Sequence, residues 1–174
     1  MLESTLTCDP LALASVPAPR AERTWPAAYR YELLRDAASS RHEPAPSIMI
    51  VEDNADAGKM LTLLLRAKGW VCELCMESTA ALAAINRFQP TVILLDIAMP
   101  GLNGLALARL IRARADGEQY VLIGVSGYGR LEDQRRAFDA GVDAYYLKPA
   151  DIDELLGTIP ALIAAKRLTV AHSG

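Results

Sequence analysis

Thr91-Val92-Ile93-Leu94-Leu95-Asp96, residues 91–96, is the stretch on which the fold turns. Four apolar residues stand side by side with no polar alternation, and a carboxylate closes the run. A strand with one wet face alternates, whereas a strand covered on both faces does not, so this run reads as a central strand of a parallel sheet. Working outward from it, short strand-like runs alternate with helical patterns, the mark of βαβ units. Upstream lie Ile48-Met49-Ile50-Val51 and Trp70 to Met76; downstream lie Tyr120 to Val125 and Ala144 to Leu147. Five strands in an α/β domain are therefore predicted.

Helices fill the gaps. Asn54 is a plausible N-cap for the first, whose apolar stripe includes Ala57, Met60, Leu61 and Leu64, and Gly69 stops it. The second spans about Thr79 to Phe88 and the third about Gly104 to Arg114, while the fourth ends near Ala140 with Gly141 as C-cap. The last begins near Asp151 and carries Ile152, Leu155, Leu156 and Ile159 on one face, with Pro160 predicted to kink or split it.

Ahead of this pattern, residues 1–46 hold six prolines and show little periodicity, as expected of a mostly irregular arm or linker. One piece, Ala27 to Ala38, has the spacing of a short amphipathic helix with Pro26 in its first turn. An isolated helix of that length is marginal in water. The division expected is an arm over 1–46, a domain over 47–166 and a tail over 167–174. Only about eight residues follow the last helix in this reading, so no output domain is expected after it.

Composition bounds the function. Hydrophobic residues make up 52% and charged residues 22%, which is globular and not disordered. No apolar run approaches the roughly 18 residues of a membrane span, and the N-terminus lacks signal-peptide order, so a soluble, cytoplasmic protein with no membrane partner is expected. The net charge of −3, with both signs interspersed, offers no basic face and disfavours direct nucleic-acid binding. Three cysteines argue against a disulfide framework. Cys72 and Cys75 form a C-x-x-C, but in a strand they point to opposite faces, and no second pair completes a zinc site. They read as small buried hydrophobes, and His42 and His172 fall in the terminal segments.

In an open α/β sheet the ligand site lies beyond the carboxyl ends of the strands. Reading those ends gives Glu52 and Asp53, Asp96, Ser126 and Lys148. If the first and third strands are neighbours, three acids converge and raise one another's pKa unless a cation neutralises them. Mg²⁺ suits such a place, being an oxygen-seeking ion commonly held by one or two carboxylates and a phosphate. An Asp carboxylate can act as a nucleophile toward a phosphoryl group, and the charge on the transferring oxygens calls for groups such as Lys148 and Ser126.

The motifs Val51-Glu52-Asp53-Asn54, Leu95-Asp96-Ile97-Ala98-Met99-Pro100-Gly101-Leu102-Asn103-Gly104, Val125-Ser126-Gly127 and Tyr145-Tyr146-Leu147-Lys148-Pro149 follow in this order. With them, residues 47–166 resemble the receiver domain of two-component response regulators. The resemblance implies a flavodoxin-like, doubly wound sheet of order 2-1-3-4-5 with helices on both faces. It also implies that Asp96 accepts a phosphoryl group from a histidine kinase or a histidine phosphotransfer protein. Glu52, Asp53, Asp96 and the Ala98 backbone carbonyl would hold Mg²⁺, with Ser126 and Lys148 contacting the phosphoryl group. Tyr145 matches the switch aromatic, and the Lys148-Pro149 bond is often cis in the family. Such a protein is a phosphoacceptor that promotes only its own phosphorylation and dephosphorylation, not an enzyme acting on others. A stand-alone regulator, a phosphorelay shuttle and a detached hybrid-kinase receiver all fit. A Mg²⁺-dependent phosphatase of the haloacid-dehalogenase type also uses an Asp after a strand, but usually has a second Asp two residues on, where this chain has Ala98. A pseudo-receiver that only binds proteins is opposed by the intact set of five site residues.

Overall fold

The computed structural model describes residues 46–171. The arm up to Ala45, its expected helix over 27–38, His42 and His172 lie outside the described residues. Five strands form one parallel sheet: β1 (Ser47–Val51), β2 (Val71–Cys75), β3 (Val92–Asp96), β4 (Val121–Ser126) and β5 (Ala144–Leu147), in the order β2-β1-β3-β4-β5. Between them run α1 (Ala55–Ala67), α2 (Ala81–Phe88), α3 (Gly104–Arg112) and α4 (Leu131–Asp139), and α5 (Ile152–Ala171) follows β5. A 3₁₀ turn, Gly117–Gln119, precedes β4. Strand and helix bounds match the sequence reading within a residue or two at most ends.

The sheet divides the interior into two cores. On one side Ile48, Ile50, Val92, Leu94, Val121 and Ile123 pack with Leu65 of α1 and Leu155 and Ile159 of α5. On the other, Met49, Val51, Ile93, Leu95 and Leu122 pack with side chains of α2, α3 and α4. All five residues of β3 are buried, as its unbroken apolar run demands. Cys72 belongs to the first core and Cys75 to the second, so the C-x-x-C straddles the sheet. Both thiols are free.

Helix ends follow local chemistry. The Asn54 side chain accepts from the N–H groups of Asp56 and Ala57, each at 3.1 Å, and Asn103 accepts from Ala106 N–H at 2.9 Å. Asp151 caps α5 by accepting from Asp153 and Glu154 N–H. Gly69, at φ +88, turns the chain out of α1 in a conformation that favours glycine.

One sequence expectation fails here, and of the kink or split expected at Pro160 the split does not occur. The stripe Ala57, Met60, Leu61 and Leu64 is not what α1 buries: Gly58, Thr62 and Leu65 face inward, while Ala57, Met60 and Leu64 are exposed and Leu61 is half-buried. The reason is close approach. A Cβ on Gly58 would lie 2.7 Å from a Leu74 methyl, and the Thr62 hydroxyl satisfies itself on the Gly58 carbonyl at 2.7 Å, so small residues bring α1 down on β2. Nor does Pro160 split the last helix. α5 continues to Ala171, past residue 166 where the expected domain ended, although Pro160 removes one N–H from its ladder. Ile159 before the proline and Leu162 and Ile163 after it pack on the same core, and the Lys166 ammonium is paired with Asp143 and Glu118, so both halves are held to one surface.

Candidate functional site

The site grows out of the parallel register. β1 pairs with β3 so that Val51 lies beside Leu95, which sets Glu52 level with Asp96 where the two strands end. β3 pairs with β4 so that Asp96 lies beside Val125, one residue before Ser126. β5 closes the row, its end tied to β4 by the Lys148 N–H donating to the Ser126 carbonyl at 2.8 Å. The Lys148-Pro149 peptide bond is cis.

Three carboxylates, from Glu52, Asp53 and Asp96, each place an oxygen within 4.8 Å of the others. Glu52 and Asp96 are buried and Asp53 is exposed. The Lys148 ammonium donates to Glu52 Oε2 at 2.7 Å and to Asp96 Oδ2 at 2.8 Å. The other Asp96 oxygen, Oδ1, accepts from the Ala98 N–H at 2.8 Å, so the carboxylate is held from both sides. Burial pushes the Glu52 carboxyl above its ordinary value; the Lys148 hydrogen bond opposes this and the charge of Asp96 adds to it. For Lys148, burial pulls downward, but the hydrogen bonds and charges of Asp96 and Glu52 prevail and hold the ammonium above its usual value.

One ammonium faces three carboxylates, so the pocket carries an excess of negative charge with oxygen donors converging from two strands. That donor set fits a hard divalent cation such as Mg²⁺. Around it, the Ser126 hydroxyl is fully buried and accepts from the Tyr128 N–H at 3.2 Å. Tyr145 is half-buried, and its hydroxyl donates to the Tyr128 carbonyl at 2.6 Å. The loop after β4 is thus gripped at Tyr128 by both Ser126 and Tyr145. Sequence reading singled out Ser126 and Tyr145 but not this shared grip, because the bonds are to backbone atoms of Tyr128 that any residue would supply. It missed equally the double engagement of Lys148, since Glu52 lies 96 positions away.

The sequence model of the response regulator receiver domain matches residues 48–160. The chain belongs to the response regulator receiver family. It is 28% identical over 128 residues to the probable transcriptional regulatory protein TcrX of Mycobacterium tuberculosis, covering 74% of this chain and 54% of that one. It is 32% identical over 114 residues to the DNA-binding response regulator MtrA of the same organism, covering 66% of this chain and 49% of that one. The chain thus spans about half the length of these curated relatives. Among solved structures, a CheY-like receiver domain protein from Methanospirillum hungatei has a TM-score of 0.64 and 26% identity over 72% of this chain and 99% of that one. NtrX from Brucella abortus has a TM-score of 0.66 and 28% identity over 75% of this chain and 29% of that one.

The receiver family accounts for the flavodoxin-like order 2-1-3-4-5 expected from sequence, and membership leaves the haloacid-dehalogenase reading without support. One expectation loses its footing: a relative named as a DNA-binding response regulator removes the support that charge alone gave to the absence of a nucleic-acid partner. Among the described residues, no helix of this receiver is long and apolar enough to cross a membrane.

Proposed function

We propose that this receiver takes a phosphoryl group onto Asp96 from a phosphohistidine of a histidine kinase or histidine phosphotransfer protein, in a Mg²⁺-dependent reaction. The observation that carries the reading is the fixed Asp96 carboxylate, gripped by Lys148 and Ala98 N–H beside two further acids. The carboxylate attacks phosphorus as the bond to the donor imidazole breaks, and the product is an aspartyl phosphate. Glu52, Asp53, Asp96 and the Ala98 carbonyl are the groups assigned to Mg²⁺, which when bound offsets charge on the phosphoryl oxygens. Lys148 leaves its pairing with the acids to meet the new anion, and the Ser126 hydroxyl turns toward it as a donor.

Releasing Tyr128 N–H from Ser126 alters the loop that Tyr145 holds, which gives the site a route to the surface through two bonds on one residue. Tyr145 then acts as a two-state element biased by phosphorylation, and the altered surface is read by a protein partner. In this reading the protein catalyses nothing but its own phosphorylation and dephosphorylation, and it works in the cytoplasm. The test is intact-mass spectrometry after treatment with acetyl phosphate and Mg²⁺. A single phosphoryl adduct mapping to Asp96 is expected, and its absence with and without Mg²⁺ rejects the reading.

A further inference from the structure

A groove runs out of the site. Glu52, Asp96 and Lys148 border about 280 Å³ of space whose every other lining residue has an apolar side chain. Its origin lies in the strand period. Side chains two apart along a strand share a face, so Ile50 is followed by Glu52 at the end of β1 and Leu94 by Asp96 at the end of β3. Ile50 and Leu94 are themselves register partners, which sets a buried apolar floor directly below the two carboxylates. The walls are Met60 and Leu64 of α1 on one side and Pro149 and Ala150 after β5 on the other. Met60 is 60% exposed and Leu64 45% exposed, so the wall stays apolar up to the rim.

This shape restricts what can meet Asp96. The volume lies just below the roughly 300–1,000 Å³ of sites for drug-sized ligands, so it suits a fragment and not a nucleotide. A polar tail would lose water without gaining a hydrogen-bond partner, a cost that an apolar tail avoids. In-line attack by a buried carboxylate sends the leaving group to the far side of phosphorus, toward the exposed rim where Met60 and Pro149 stand. A ligand meeting all three conditions has a phosphoryl head, a short apolar tail and a leaving oxygen between them. Acyl phosphates with more carbon than acetyl are such molecules. Their energetics also match, because one mixed anhydride of a carboxylic and a phosphoric acid is exchanged for another.

We propose that the groove is an acyl subsite, through which this receiver takes phosphoryl groups from free acyl phosphates whose apolar acyl group is longer than acetyl. The inference rests on the reading of Asp96 as phosphoacceptor. An Asp96 oxygen forms the new bond to phosphorus as the bond from phosphorus to the bridging oxygen breaks, and the carboxylate of the acyl group leaves with the electron pair. Full burial of a methylene is worth about fourfold in affinity, and against half-exposed walls roughly twofold is gained. Butyryl phosphate has two methylenes more than acetyl phosphate and the same kind of leaving carboxylate. It should therefore label about fourfold faster at equal low concentration.

The test compares initial rates of adduct formation from butyryl phosphate and acetyl phosphate with Mg²⁺, by intact-mass spectrometry of the full chain. A ratio of about four is expected. Met60→Gln combined with Leu64→Gln, which keeps the helix but makes its wall polar, should bring the ratio to about one. Taking both rates on the same protein cancels any loss of folded material. A native ratio below about two, as for a groove reserved for a side chain of a protein phosphodonor, overturns the proposal, and so does a ratio that the double variant leaves unchanged. A second arm needs no transfer. The phosphonate in which CH₂ replaces the bridging oxygen of butyryl phosphate cannot react, and in Mg²⁺ buffer it should move the Met60 methyl resonance further than the corresponding acetyl analogue does; equal shifts overturn the acyl subsite. If neither donor labels Asp96 while the resonance still moves, the phosphoacceptor reading falls and the subsite stands.

Discussion

The two ends of this sheet each hold a cluster of charged side chains, and they differ in how the charge is balanced. At the amino end, Asp143 accepts from Arg112 at 2.7 Å, from Lys166 at 2.9 Å and from the Leu122 N–H at 2.8 Å. Arg112 spends its remaining donors on the carbonyls of Gly117, Tyr120 and Gly141, and Glu118 adds a second acid for Lys166. Two cations meet two acids, and the group ties α3, the 3₁₀ turn, β4 and α5 together. At the carboxyl end one cation meets three acids. A cluster that neutralises itself is complete without a ligand and serves architecture, whereas one left with surplus charge calls for a ligand.

Substitutions sharpen that contrast, beginning with the largest effect. Asp96→Asn should abolish the phosphoryl adduct seen by intact-mass spectrometry while leaving the circular dichroism spectrum unchanged. An undiminished adduct would remove Asp96 from its assigned role.

Asp143→Ala strikes the balanced end. It strips Arg112 and Lys166 of their shared partner and the Leu122 N–H of its acceptor, and denaturant titration should show a loss of about 2–3 kcal/mol. Phosphorylation by acetyl phosphate should persist under native conditions. A variant as stable as the native protein would show that the amino-end cluster is decorative.

Asp53→Ala strikes the surplus end and should separate binding from stability. Loss of one charged ligand is expected to weaken Mg²⁺ by about tenfold or more, equivalent to about 1.4 kcal/mol. The metal-free protein should melt no lower, because one of three repelling carboxylates is gone. Calorimetric titration with Mg²⁺ and a thermal melt check the two halves; unchanged affinity would take Asp53 out of the metal set.

The smallest effect concerns how long the adduct lasts. Ala98 is exposed at the rim and offers water no side-chain hydrogen bond, while Tyr128, 62% exposed, adds bulk nearby in the loop after β4. Ala98→Asn supplies a group that can orient an attacking water, and should shorten the phosphoaspartate lifetime by roughly threefold to tenfold. Decay followed in Mg²⁺ buffer without kinase tests it. Equal lifetimes would show that water access at this position is not limiting.

Much of the site was legible because parallel strands put their polar terminators in one place. Once Val92 to Leu95 read as a buried strand, Asp96 was marked by position, and the ends of β1, β4 and β5 supplied Glu52, Asp53, Ser126 and Lys148. Asp143 and Arg112 carried no such mark: they stand 31 positions apart, and neither ends a strand in the direction of the site. The inward face of α1 was misread for a related reason. Hydropathy favours Met60 and Leu64 over Gly58 and Thr62, yet what lets a helix sit closely on a sheet is the absence of bulk. At Pro160 the local rule allowed a split, and the helix stays in one piece because apolar residues on both sides share one core.

The straddling cysteines bear on how the protein responds to oxidants. Three residues along a strand separate two Cα atoms by about 10 Å, and a disulfide tolerates no more than about 7 Å. Because Cys72 and Cys75 also lie on opposite faces of β2, a bond between them cannot form while β2 is paired. β2 is an edge strand, held on one side only by β1. The two thiols are therefore kept apart by the pairing of β2 itself, and the sheet protects them from joining for as long as that edge stays in place.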